Sequence, residues 1–200
     1  MTPSDNAAPT GILLAAGRGR RFDPAGGRNK LLQRLPDGDP VVVASARKLL
    51  ATVPRVVAVV PPDDGGVADA LRALGCEVTL CPDADSGMGL SLAHAVRYAT
   101  LAQQNNNGWL VALGDMPFVD VSTLRALVSA IEDGAGIVAP TFDGRRGNPV
   151  AFGARHGAAL LALDGDEGAR RLLSSHPVTT VAVLDPGILR DIDTPDDLPA

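Results

Sequence analysis

The sequence predicts one α/β domain with a doubly wound, mostly parallel sheet, and three observations carry that prediction. Short apolar runs recur along the 200 residues, several of them uninterrupted by a polar residue, as strands buried on both faces require. Stretches of helical periodicity separate these runs, the alternation that builds a parallel sheet through right-handed crossovers. Hydrophobic residues make up 46% of the chain, yet only four Phe, one Trp and one Tyr are among them. The core is therefore a matter of Val, Leu, Ile and Ala, which suits a parallel sheet between Ala-rich helices.

A chain of this length buries one good core, so residues 10–200 are expected as a single domain, with residues 1–9 a disordered tail ahead of it. The strands are expected at Thr10–Ala15, Arg55–Val60, Cys76–Cys81, Trp109–Leu113, Ile137–Thr141 and Val178–Val183. The clearest helix follows the fourth of these. Leu124, Leu127, Val128 and Ile131 share one stripe, Asp120 or Ser122 is placed to cap it, and Gly134 lies beyond its end. The stretch QQNNNG at Gln103–Gly108 reads as a polar surface turn.

Charge and cysteine content exclude several classes. A net charge of −5 is the wrong sign for non-specific nucleic-acid binding. No window approaches the roughly 18 to 20 apolar residues of a membrane span, and MTPSDNAAPT lacks the regions of a secretion signal, so a cytoplasmic protein is expected. Cys76 and Cys81 flank one strand at an odd separation that puts them on opposite faces, as core thiols rather than a disulfide or zinc pair. His94, His156 and His176 show no ligand spacing and are read as packing or helix-surface residues.

In an open α/β sheet ligands bind outside the carboxyl ends of the strands. The first strand runs into GILLAAGRGRRFDPAGGRNKLL, residues Gly11–Leu32. Ala15, Ala16, Gly17 and Gly19 let backbone N–H groups approach phosphate oxygens, while Arg18, Arg20, Arg21, Arg28 and Lys30 supply charge. A polyphosphate is the anion that fits. Neither standard glycine motif is present: Lys30 is preceded by Asn29 and followed by Leu31, unlike a GxxxxGK[ST] loop, and Phe22 occupies the third glycine of a dinucleotide fingerprint.

After WLVAL, the stretch GDMPFVD places Asp115 at another strand's carboxyl end, where a carboxylate can hold Mg²⁺ beside substrate phosphates. Near the C-terminus, LRDIDTPDDL offers Asp191 and Asp193, on one face with Ile192 opposite if the segment is extended. Asp193 ahead of Thr194 and Pro195 reads equally well as a helix cap.

Taken together, LLAAGRGRRF with NKLL, GDMPFV and DIDTPDDL resemble the molybdopterin nucleotidyltransferases, the MobA-like NTP transferases, over Gly11 to Leu198. Further along, DADSGMGLSLAHAV, GRRGNPVAFG and LDGDEGARRLL are similar to the branch that makes molybdopterin cytosine dinucleotide. The resemblance implies a Rossmann-like fold of the nucleotide-diphospho-sugar transferase type. It implies transfer of CMP from CTP to the phosphate of molybdopterin, with pyrophosphate released and Mg²⁺ (or Mn²⁺) as the metal.

Carried over by motif, Arg21 and Lys30 would neutralise the triphosphate, and Asp115 with Asp193 would hold the metal, Asp191 being the second choice. Leu14, Ala15, Ala16, Gly17, Gly19 and Gly114 would border the nucleotide, with Gly87 and Ser91 at its base. Arg146, Gly147, Asn148, Pro149, Asp166, Gly168 and Arg170 would face the acceptor. The linker FDPAGGRN between Arg21 and Lys30 is longer than the family's compact form, and Asn148 stands where its acceptor motif usually has His. Alternatives stay open: GTP in place of CTP, a sugar or organic phosphate as acceptor, or a non-catalytic nucleotide-binding chaperone of a molybdenum enzyme.

Overall fold

The computed structural model describes residues 8–102, 106–166 and 168–199. Residues 1–7 of the expected tail at 1–9 and the first half of the QQNNNG turn, residues 103–105, lie outside them; Pro9 is already buried. An eight-stranded sheet is formed by β1 (Thr10–Leu14), β2 (Val56–Val60), β3 (Glu77–Leu80), β4 (Gly108–Leu113), β5 (Ile137–Phe142), β6 (Arg145–Arg146), β7 (Val150–Gly153) and β8 (Thr179–Ala182). Their order is β3-β2-β1-β4-β7-β5-β6, with β8 on the other side of β5. The pairs β1–β2, β1–β4, β2–β3 and β5–β8 are parallel. Order therefore reverses beside β1, and the crevice of a doubly wound sheet opens there.

Each central strand divides its side chains between two cores. Leu13, Val56, Ala58, Val60, Leu110 and Ala112 face one, under α1 (Val41–Leu50), α2 (Val67–Ala73) and α4 (Val121–Glu132). Ile12, Val57, Val59, Trp109 and Val111 face the other, under α3 (Met88–Ala102), α5 (Gly157–Leu161) and α6 (Arg170–Ser175). That is why the runs carry no polar residue. Cys76 belongs to the first core and Cys81 to the second, as their spacing predicts.

Six strands begin and end within one residue of their expected bounds, and α4 carries its apolar stripe with Asp120 at the cap position. The Asp120 side chain makes no capping bond; its N–H donates to the buried Asp185 carboxylate (2.8 Å), which also accepts from Thr123 Oγ1 (2.7 Å) and Gly187 N (2.9 Å). Two strands lie outside the expected six, the short β6 and Val150–Gly153, which is the antiparallel β7 wedged between β4 and β5. An antiparallel strand starts where its parallel neighbours finish, so β7 delivers Asn148 and Pro149 to the carboxyl edge beside Leu113. Among the described residues no helix is long and apolar enough to cross a membrane.

Candidate active site

A cleft of about 660 Å³ opens along the carboxyl edge of β1 and β4. Its cationic wall grows out of β1. After Leu14 the chain turns through Ala15 and Ala16, both buried, to Gly17, where an added Cβ would meet open space. Phe22 then plunges into the core, 2% exposed, and anchors the loop. The long linker closes on itself: Asp23 accepts from the N–H groups of Ala25 (3.1 Å) and Arg28 (2.8 Å), and the Arg28 guanidinium lies 5.5 Å from the Phe22 ring. Arg28 is thus spent on the loop and is absent from the cleft lining.

Folding the linker into this compact turn brings Lys30 back to the mouth of β1. The side chain is 8% exposed, and its Nζ lies 2.6 Å from Asp115 Oδ2 and 3.2 Å from Asp193 Oδ1. Arg21 Nη1 takes the other Asp193 oxygen at 2.7 Å. Burial alone lowers a lysine pKa, but Asp115 and Asp193 outweigh it here and hold the ammonium above its ordinary value.

Asp115 follows β4 by two residues, and Gly114 between them donates its N–H to Leu14 O (2.9 Å), locking the two strand ends together. The C-terminal segment comes to this point as an extended strip, Ile192 N donating to Asp115 O (2.9 Å). Ile192 is fully buried, and its neighbours Asp191 and Asp193 both turn to the cleft, the alternation read from DID. The cap of the following turn (Pro195–Asp197) is Thr194. Asp197 accepts from Thr194 N (2.7 Å), Thr194 Oγ1 (2.8 Å) and Asp193 N (3.0 Å), which leaves the Asp193 carboxylate free of capping duty.

Ligand oxygens of Asp115, Asp191 and Asp193 lie within 4.8 Å of one another. Burial, and then the charge of Asp193 and Asp115, raises the Asp191 pKa. Opposite oxygens of an octahedral Mg²⁺ stand about 4.2 Å apart, so this donor set needs only a small contraction to hold a hard divalent cation. The Lys30 ammonium, bridging two of the three carboxylates, already marks the place as one for positive charge.

The opposite wall comes from the start of α3. Gly87 and Ser91 line it, Ser91 with its hydroxyl turned to Gly87 O (3.4 Å). A Cβ on Gly87 would come within 2.3 Å of the Gly165 carbonyl, and one on Gly89 within 2.4 Å of Asp164 O, so packing against segment 164–166 itself demands both glycines. Arg18, from the β1 loop, forms a two-pronged ion pair with Asp85 on this wall.

Of the residues expected at the acceptor, Asn148, Asp166 and Arg170 line the cleft. Arg146 is exposed on β6, Gly147 is packed on Ile188 O, Pro149 turns to a small void beside Ser45 and Lys48, and Gly168 lies under Met88. Those four, with Ala15 and Gly114, stand behind or beside the lining rather than on it. Sequence reasoning missed Asp85, Asn29 and Asp197. Only Asp197 left a signal, the T-x-x-D spacing of a capping box.

A family model for the MobA-like NTP transferase domain matches residues 11–180. The purine catabolism protein PucB of Bacillus subtilis (strain 168) is 32% identical over 198 residues, covering 94% of this chain and 92% of that protein. The crystal structure of Rv0371c from Mycobacterium tuberculosis H37Rv in complex with manganese superposes with a TM-score of 0.74 at 27% identity, over 96% of each chain. A nucleotidyl transferase from Methanothermobacter, Mth528, superposes with a TM-score of 0.77 at 26% identity, over 95% of this chain and 94% of that one.

Proposed function

We propose, from the premise that this chain belongs to the MobA-like NTP transferase family, that it transfers CMP from CTP to the terminal phosphate of the molybdopterin cofactor. The observation that carries the reading is the meeting of Lys30 and Arg21 with Asp115 and Asp193 at the mouth of the β1 loop. An oxygen of the acceptor phosphate attacks the α-phosphorus, the bond to the β-phosphate oxygen breaks in line, and pyrophosphate leaves. No covalent protein intermediate is needed, so positioning and charge make up the catalysis.

Lys30 and Arg21 bind the triphosphate oxygens, and backbone N–H groups of Ala16 to Gly19 complete the cradle. Asp115 and Asp193 hold the divalent metal, with Asp191 alongside; bound there, Mg²⁺ or Mn²⁺ supplies charge against the phosphate oxygens. The manganese complex of Rv0371c supports a divalent site in this fold. Gly87 and Ser91 border the base. Asn148, Asp166 and Arg170 face the acceptor, where Asn148 hydrogen-bonds without the proton a histidine would exchange. The cytosine choice rests on the opening LLAAG, in place of a LAGG form, and on the GDEGAR segment, which resemble the cytidylyl branch.

Pyrophosphate release from CTP, GTP, ATP and UTP, each with Mg²⁺ and molybdopterin, tests the reading. Release with CTP alone is expected. Release with GTP alone moves the chain to the guanylyl branch, and silence with all four removes molybdopterin as the acceptor. Asp115→Ala should fold yet lose turnover by about 10²-fold or more; unchanged partner-dependent function in that variant would instead indicate a binding module.

A further inference from the structure

Lys30 reaches its two carboxylates from a loop whose only regular feature is a single 3₁₀ turn, Lys30–Leu32. Such a turn is too short to fix its own first residue. What fixes it is the residue before. Asn29 Oδ1 accepts from Leu31 N at 3.0 Å, capping the turn, while its Nδ2 donates to Asp64 O at 3.0 Å in the loop between β2 and α2. The Asn29 carbonyl accepts from Leu32 N (3.2 Å) and from Gln33 Nε2 (2.8 Å).

The Asp64 loop is itself a rigid partner. Asp64 Oδ1 accepts from Gly66 N (2.8 Å) and Ala68 N (3.0 Å), so the carbonyl that Asn29 grips is tied to the start of α2. On the other side, the aliphatic stem of Lys30 passes Gly19, whose φ of 58° no side chain favours and whose added Cβ would lie 3.2 Å from Lys30 Cγ.

We infer that Asn29 is a positioning residue for Lys30: its amide joins the cap of the lysine's turn to the β2–α2 loop and so aims the ammonium at the site of the triphosphate. The inference rests on Lys30 serving the nucleotide. Both ends of the amide are required. A serine keeps an acceptor for Leu31 N but has no arm to reach Asp64 O, and an aspartate would set a carboxylate against that carbonyl.

The experiment is a double-mutant cycle read by calorimetric titration of CTP in the presence of Mn²⁺, with melting temperatures recorded for every variant. Asn29→Ala is expected to weaken CTP binding about 10- to 100-fold, the scale of a misplacement of about 1 Å, with Asn29→Ser between it and wild type. Adding Asn29→Ala to Lys30→Ala should change binding less than twofold, because the residue acts through the lysine. An Asn29→Ala protein that binds CTP like wild type, or a double variant whose losses multiply, overturns the positioning role and leaves the nucleotidyltransferase reading standing. Wild-type protein that binds none of CTP, GTP, ATP and UTP overturns that reading and this inference with it. Should Asn29→Ala not fold, Asn29→Ser with and without Lys30→Ala carries the same comparison.

Discussion

Lys30 is nearly buried and, among the described residues, its ammonium pairs with carboxylates alone, so loss of that charge should show in chemistry more than in folding. Lys30→Met keeps the stem that passes Gly19 and deletes the charge. We predict a fall in turnover of about 10²- to 10³-fold, the range seen when a single charge-stabilising donor is removed, with far-ultraviolet circular dichroism unchanged; a loss under about fivefold would count against the role. Cys76 makes a different residue-scale case, set by burial alone. Its thiol is pushed up to about 11 from an ordinary 9.0. The unfolded chain therefore loses this proton first, and stability present below pH 9 is lost as pH rises towards 11, by about 2 to 3 kcal/mol at the limit. The drop in melting temperature between pH 8 and pH 10.5 should be smaller in Cys76→Ala than in wild type. Parallel drops in the two proteins would show that the thiol is not the group responsible.

At the scale of elements, six strands were legible to within a residue, and the central ones, β1, β2 and β4, most plainly, because burial on both faces leaves an apolar run as the pattern open to them. β7 escaped because four residues after a turn carry the same pattern in a free hairpin as in a sheet interior. Only the strand order, a long-range property, tells them apart. The site divides the same way: Asp115 and the Asp191–Asp193 pair were legible from strand ends and alternation, whereas Arg18–Asp85 and Asn29–Asp64 join loops that only the fold brings together. Glycines sharpen the contrast between packing and chemistry. A Cβ at Gly89 runs into Asp164 O, while one at Gly17 meets nothing. Gly89→Ala should destabilise the protein by about 1 to 3 kcal/mol in urea unfolding. Gly17→Ala should leave the unfolding midpoint where it is but weaken CTP binding by about tenfold, since the added methyl would stand where the proposed function brings phosphate oxygens to the backbone. Equal stability losses in both would refute this division.

Across the whole molecule, the site is assembled from residues far apart in the chain: Lys30 meets Asp115 across 85 positions and Asp193 across 163. Two of the three clustered carboxylates, Asp115 and Asp193, pair with two cations, and the cations are not equally held, Lys30 being 8% exposed and Arg21 76%. Without nucleotide, Arg21 and Lys30 occupy carboxylate oxygens that a metal needs. A triphosphate offers both cations better partners and so frees those oxygens while adding its own. Metal and nucleotide must then bind with positive coupling, and linkage requires each to tighten the other by the same factor. Mn²⁺ affinity, followed by electron paramagnetic resonance, should rise about tenfold or more at saturating CTP, and CTP affinity should rise equally with Mn²⁺. Asp193→Asn should abolish most of that coupling, because Asp193 is the one carboxylate that both cations contact. Mn²⁺ binding that is as tight without CTP as with it would mean that the cations do not compete for these oxygens, and the metal would have to be sought away from Asp193.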